Sequence, residues 1–437
     1  MHVNSIANPR RTEFSADARL TGRIATVLSA TILTVLLVTF RPFTPQGPTL
    51  EAGSGDIVNQ LGFGTLGAVS LFAIFALVDR RVAAALLSPW WLVVLGFLVL
   101  SVFDATDPPS AMRAASFTVI GILAVAAVLM LPRDAEGFSY AIATAAFVVL
   151  GLSYLGLFIY PNESMHVADS IEPEHAGFWR GLFAHKNIAG PVMACLSFGG
   201  IYLWRRGWSR AGIAIFLLSI VFMSNTGSKT TLGLVPLAVL PVLLPGIVGV
   251  RFLTPVLFVF AVVGTGLATL GIVFIDPLKD LAASIAPDLT YTGRTSLWEF
   301  SGEMILKQPW TGYGYESFWD TPFLYTVDQP FDRAWDIRGI VHGHNGYLDM
   351  AVIMGVPALV AGIVAFLIVP MRDFMRIPLL RENVLLGDFF MMALYFTALN
   401  AFLESFFFRR ADPVWLFFVL AILGLRLVAR FPVHSGR

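Results

Sequence analysis

The chain is expected to be an all-α polytopic membrane protein of about twelve transmembrane helices with one large loop on the outer side. Three observations carry that expectation. Of the 437 residues, 57% are hydrophobic and 13% charged, which is too apolar for a soluble chain of this length. Apolar stretches long enough to cross a bilayer recur from end to end. The arginines, in a chain of zero net charge, gather in alternate connections between those stretches.

The first stretch, about 24–40, follows Arg10, Arg11, Arg19 and Arg23. It is long for the core of a signal peptide and has no small-x-small cleavage site, so it is expected to remain as a helix. The others lie at about 57–78, 83–103, 114–131, 138–160, 187–204, 211–224, 230–250, 252–275, 345–370, 385–408 and 413–429. Those near 211 and 230 carry the weakest signal, one being short and the other interrupted by Pro236, Pro241 and Pro245. The single cysteine, Cys195, lies inside an apolar run and is expected to pack there. No internal repeat and no low-complexity tract is visible. The chain therefore divides into helices 1–9 with short connections (1–275), a large periplasmic loop (276–344) and helices 10–12 (345–437).

A cytoplasmic N-terminus places Arg80 and Arg81, Arg133, Arg205, Arg206 and Arg210, Arg251, Arg372, Arg376 and Arg381, and Arg426, Arg430 and Arg437 in cytoplasmic segments. This satisfies the positive-inside rule and puts both termini inside. His166, His175, His185, His342 and His344, five of the seven histidines, then fall outside. Asp276 to Gly343 is the one long outer insertion and holds Trp298, Trp310, Trp319 and Trp335. Such enrichment suits sugar stacking or an interfacial belt. Within it Ser296 and Glu299 are spaced as a capping box, and Leu297, Phe300, Met304 and Ile305 share a helical face. A helix lying on the membrane surface is expected there.

In this topology every even-numbered helix starts on the outside and turns free backbone N–H groups toward it. Four such starts carry polar signatures: His185-Lys186-Asn187, Asn225 to Lys229, His342 to Asn345, and Arg409 to Pro413. Capping accounts for Asn187, Asn345 and Asp412-Pro413. It does not account for Lys186, Lys229, Arg409 and Arg410, because a cation at a helix N-terminus opposes the dipole. Helix N-termini joined to Lys and Arg suit a phosphate or diphosphate. The plain alternative is a solvated or snorkelling side chain, with Glu404 as the salt-bridge partner of Arg409 and Arg410. His344 is the candidate base, since a neutral imidazole accepts a proton near ambient pH. His342 stays open between a supporting contact and a contact to the acceptor. No D-x-D stands in an outer segment, and Glu172-Pro-Glu174 is the nearest acidic pair.

Five motifs follow in order: F-A-H-K-N (Phe183 to Asn187), S-K-T (Ser228 to Thr230), T-G-R-T-S-L-W (Thr292 to Trp298), P-W-T-G-Y-G-Y (Pro309 to Tyr315) and H-G-H-N-G-Y (His342 to Tyr347). With about twelve helices and one large loop, they resemble the O-antigen ligase and Wzy-type polysaccharide polymerase superfamily. Lys229 in S-K-T, where the ligases usually carry arginine, looks more like the exopolysaccharide polymerase branch.

The resemblance implies a GT-C-like glycosyltransferase of the bacterial inner membrane. It would polymerise undecaprenyl-diphosphate-linked glycan on the periplasmic face, inverting and without metal or other cofactor. His344 would be the catalytic base and Arg294 the diphosphate ligand, with Lys229, Lys186, Arg409 and Arg410 on the donor and His342, Asn345, His185 and Glu404 in support. The implied partners are the lipid-linked donor, a glycan or lipid acceptor, membrane lipids and a polysaccharide chain-length regulator, with no nucleic acid. A ligase passing the glycan to lipid A core would share the donor site. A lipid-linked oligosaccharide flippase would place charge along a mid-membrane path, and the helix centres here are nearly free of it.

Overall fold

In a computed structural model, residues 9–44, 56–168, 173–285, 291, 293–327 and 336–436 are described, with side chains from Arg19 onward. Glu172, Thr292, Trp335 and Arg437, together with the side chains of Arg10 and Arg11, lie outside the described residues. The described chain is helical, as a bilayer demands of a spanning segment whose backbone must satisfy itself. In order come α1 (Pro9–Val38), α2 (Ile57–Leu77), α3 (Arg80–Leu86), α4 (Pro89–Phe103), α5 (Pro108–Met130), α6 (Ala135–Ile159) and α7 (Pro161–Ser164). Next are α8 (Lys186–Arg206), α9 (Ser209–Asn225), α10 (Lys229–Ile247), α11 (Leu253–Phe274), α12 (Asp276–Ile285), α13 (Arg294–Lys307) and α14 (Phe323–Thr326). The last four are α15 (Gly346–Met354), α16 (Val356–Met375), α17 (Arg381–Asn400) and α18 (Pro413–Val428).

Among the described residues, nine helices are long and apolar enough to span, and α3 with α4 makes a tenth if that pair, bent by 65°, counts as one span. The shorter α9 and α18 complete the apolar set. The expected stretch at 345–370 is two helices, because Gly355 sits at φ 85° and breaks the run; the span is α16, with the nine-residue α15 set before it. The stretch at 385–408 likewise ends early, at Asn400, and residues 401–412 form a turn-rich link.

The spans are layered. α17 lies inside, 94% of its spanning stretch buried within the protein, whereas only 17% of α11 is buried and the rest faces outward. α8 and α9 approach closely through Gly200 and Gly212: a Cβ on Gly212 would meet the Gly200 carbonyl at 2.6 Å and run into the Trp204 backbone. At one end of the bundle, Arg206 is buried between Glu136 and Glu382, and Arg205 and Arg251 share Asp388 at 2.8 and 3.0 Å. Buried guanidinium groups thus meet carboxylates instead of facing low dielectric alone.

The opposite end carries the large loop, and here one expectation is overturned. α13 is not a surface helix, because Leu297, Trp298, Phe300 and Met304 are at most 2% exposed and form a core with Phe318, Leu324, Leu348 and Val352. Periodicity reports an apolar face without saying whether protein or lipid covers it. Nor is Ser296 a cap. The helix starts after Gly293, at φ 81°, and Glu299 pairs with Lys279 at 3.5 Å. α12 exposes Leu281 and Ile285, and α13 exposes Leu306 near its end. P-W-T-G-Y-G-Y is a strap. The Val356 N–H donates to the Pro309 carbonyl at 2.8 Å, Tyr313 N–H to Val352 O at 2.9 Å and Tyr315 N–H to Ser101 O at 2.9 Å.

Gly212→Ala should lower the thermal midpoint of the detergent-purified protein, since α8 and α9 must move apart at a cost of ~1–3 kcal/mol. An unchanged midpoint would show that the helix pair gives way freely.

Candidate functional site

The site is built on the first turn of α15. Asn345, fully buried, caps it: Oδ1 accepts the N–H groups of Tyr347 and Leu348 at 3.1 and 3.0 Å. The same residue ties down the link after α17, donating from Nδ2 to the Phe402 carbonyl at 3.0 Å and from its backbone N–H to Ser405 Oγ at 2.9 Å. With Gly346 N–H on Ala401 O at 2.8 Å, these bonds press residues 401–405 against 343–346. Glu404 is thereby delivered to His344.

The Gly343 peptide is gripped on both sides. Its carbonyl accepts Trp298 Nε1–H at 3.1 Å, and its N–H points at the Asp349 carboxylate at 3.1 Å. Asp349 also accepts Trp319 Nε1–H at 2.8 Å. Trp298 stands one turn after Arg294 on α13, so the same helix that fixes the loop presents the arginine. His344 follows Gly343 at φ 51°, a left-handed position where histidine is tolerated better than bulky residues.

Arg294, Glu404 and His344 form one unit. Arg294 Nη2 donates to Glu404 Oε1 at 2.9 Å and Nη1 to the Leu403 carbonyl at 2.6 Å. Glu404 Oε2 lies 3.3 Å from His344 Nδ1. A carboxylate in that position accepts a hydrogen bond from Nδ1–H, which leaves the imidazole lone pair on Nε2, as in carboxylate–histidine pairs generally. His342 is different, for its Nδ1 accepts the His344 N–H at 3.3 Å, so its own proton is on Nε2. Burial pushes the pKa of His342 well below the ordinary 6.5, and the neighbouring His344, Arg409 and Arg294 push it the same way. Burial pushes Glu404 up, but the His344 hydrogen bond and the Arg294 charge outweigh it, and Glu404 titrates below its ordinary value.

Glu404 therefore serves Arg294 and His344, and not Arg409 and Arg410 as in the plain alternative of a salt bridge to them. Among the described residues Arg409 Nη1 donates to the Ser405 carbonyl, at 3.3 Å, and both arginines line a neighbouring cavity of about 320 Å³. Asp412 caps α18 as expected, with Oδ1 on Val414 N–H at 2.8 Å. At α8 the cap is His185, whose Nδ1 accepts the Asn187 N–H at 3.1 Å, so Asn187 is not the cap. Lys186 is buried, its ammonium 4.4 Å above the Phe178 ring centroid in a cation–π contact. Lys229 is exposed at the first position of α10, and no hydrogen bond or ion pair joins its side chain to the Arg294 unit among the described residues.

Among the described residues, two side-chain groups bring ligating atoms within 4.8 Å of one another: His342, His344 and Glu404, and His166, His175 and His185. Their surroundings oppose a dication. The first shares its carboxylate with Arg294, and in the second His166 Nε2 and His185 Nδ1 accept N–H groups of the positive end of α8. Asp349 and Trp298 were not singled out from sequence, although Asp349, four residues after Asn345, shares its helical face.

A model of the O-antigen ligase family matches residues 187–363. Over 189 residues the chain is 25% identical to the exopolysaccharide production protein ExoQ of Rhizobium meliloti (strain 1021), a match covering 41% of each chain. The chain thus resembles the O-antigen ligase and Wzy-type superfamily on its exopolysaccharide side. The family match takes in Lys229, Arg294 and His344 and stops short of Glu404.

Because folded His342 binds its proton below the unfolded value of 6.5, the unfolded state holds more protons as pH falls, and stability is lost below about pH 6.5. His342→Asn keeps an acceptor for the His344 N–H and should flatten the fall in thermal midpoint between about pH 6.5 and 5. Equal slopes in both proteins would show that His342 does not titrate on unfolding. Glu404 acts in a lower window, beneath 4.5.

Proposed function

We propose that the protein is an inner-membrane glycosyltransferase that polymerises polyprenyl-diphosphate-linked repeat units on the periplasmic face, both termini being cytoplasmic. The observation that carries this reading is the joining of a base and a fixed cation, His344 and Arg294, by one carboxylate at the end of a membrane bundle.

In the reaction, His344 Nε2 takes the proton of an acceptor hydroxyl as that oxygen attacks the anomeric carbon of the donor. The new C–O bond forms as the bond to the diphosphate breaks, and the diphosphate leaves with the electron pair and inverted geometry behind it. Glu404 keeps the His344 lone pair on Nε2 and stabilises the imidazolium that results. Arg294 meets the negative charge growing on the leaving group. Its guanidinium carries five N–H donors, and the Glu404 and Leu403 bonds use two. Lys229, exposed at the start of α10, adds a second cation toward the donor. A diphosphate leaves readily once its charge is met, so the chemistry requires no metal. The relative's name, an exopolysaccharide production protein, favours chain extension over transfer to lipid A core.

His344→Ala should lower polymer output by ~10²–10⁴-fold in protein that still inserts and folds. Near-normal output would remove His344 as the base. Arg294→Ala and Lys229→Ala should raise the KM for the lipid-linked donor, and unchanged donor kinetics in both would remove the diphosphate assignment. EDTA should leave turnover intact; loss on chelation would point to a metal-dependent enzyme.

A further inference from the structure

Beside the Arg294 unit lies the cavity of about 320 Å³, walled in part by Glu316, Trp319, Asp320, His342, Arg409 and Arg410. Its volume is that of a small-ligand site. Two buried polar side chains, Asp349 and Ser405, also face it. His342 stands between the cavity and the Arg294 unit, its ring centroid 4.2 Å from that of His344. Left-handed backbone collects around it. Glu316, Asp320 and Phe408 of its wall stand at φ 55°, 54° and 56°, and Ala411 next to the wall at 57°. Such conformations cost about 1–3 kcal/mol each and persist where surrounding structure holds them for a purpose.

The lining chemistry selects the ligand. Two exposed carboxylates would repel a diphosphate, and two arginines would repel a cation. A neutral ring bearing several hydroxyls satisfies both, donating to Glu316 and Asp320 and accepting from the guanidinium groups. Trp319 adds an apolar face. Its ring is fixed by the indole bond to Asp349, and such a face suits the C–H side of a sugar.

We propose, resting on the glycosyl-transfer reading above, that this cavity binds the acceptor: the terminal, uncharged sugar of the glycan that receives the new linkage. Its hydroxyl passes His342 to reach His344 Nε2. Arg409 and Arg410 thereby belong to the acceptor side, while Arg294 holds the donor.

The test uses the full-length purified protein, the lipid-linked repeat unit as donor, and a fluorescently tagged oligosaccharide released from the host's own polymer as acceptor. Asp320→Asn and Glu316→Gln remove charge from exposed side chains and leave the core untouched. Each should raise the acceptor KM about tenfold with the donor KM within twofold, and should weaken direct binding of the tagged oligosaccharide, read by anisotropy, by a similar factor. Unchanged acceptor KM and binding in both variants would overturn the proposal, as would a rise confined to the donor KM. If the wild type consumes no lipid-linked donor, the transfer reading fails by itself. Oligosaccharide binding that depends on Asp320 and Glu316 would still establish the cavity as a sugar site, and its absence would overturn that too.

Discussion

The site depends on one carboxylate doing two things. Glu404 takes Arg294 on one oxygen and His344 on the other. Separating these groups from water is costly for each alone and much less so for the set, in which one negative charge is shared by a guanidinium and an imidazole N–H. The three residues lie in three regions of the chain: the large loop, the lead into α15, and the link between α17 and α18. Asn345 is the joint between the last two, capping α15 with one side-chain atom and holding the link with another. Trp298 joins the first to the second through the Gly343 carbonyl. The three side chains are thus placed by two buried polar residues, Asn345 and Trp298, whose own bonds are satisfied inside the protein.

Much of the fold was legible because a bilayer accepts few solutions. Runs of apolar residues near 57, 114, 138 and 252 became α2, α5, α6 and α11 with ends moved by a few residues. Errors fell where a backbone conformation, rather than composition, decides the outcome. Gly355 breaks an apolar run that reads as one helix, since only glycine lets the Trp310 carbonyl pass so near. Gly293 starts α13 ahead of the expected cap. The apolar face of α13 was visible, but whether lipid or Phe318, Leu324, Leu348 and Val352 cover it is set by contacts distant in sequence.

For the site, local signals succeeded and long-range ones failed. Asn345 as the cap of α15 follows from the residues beside it. The partner of Glu404 does not, because Arg409 is five residues away and Arg294 is 110. Nearness in sequence pointed to the wrong guanidinium. Lys186 teaches the same point, its cation lying over Phe178, which no motif includes. Cations against a helix dipole remain informative, yet each has to be tested against an aromatic ring or a carbonyl before a ligand is inferred.

The most direct measurement of the central claim is a double-variant comparison of donor turnover with Glu404→Gln, His344→Ala and the two combined, in purified inserted protein. If one carboxylate organises the base, Glu404→Gln loses at least ~10²-fold and the combined variant is only a few-fold worse than His344→Ala, because residues acting as a unit are strongly non-additive. Near-normal turnover in Glu404→Gln, or a combined loss equal to the product of the two separate losses, would contradict it.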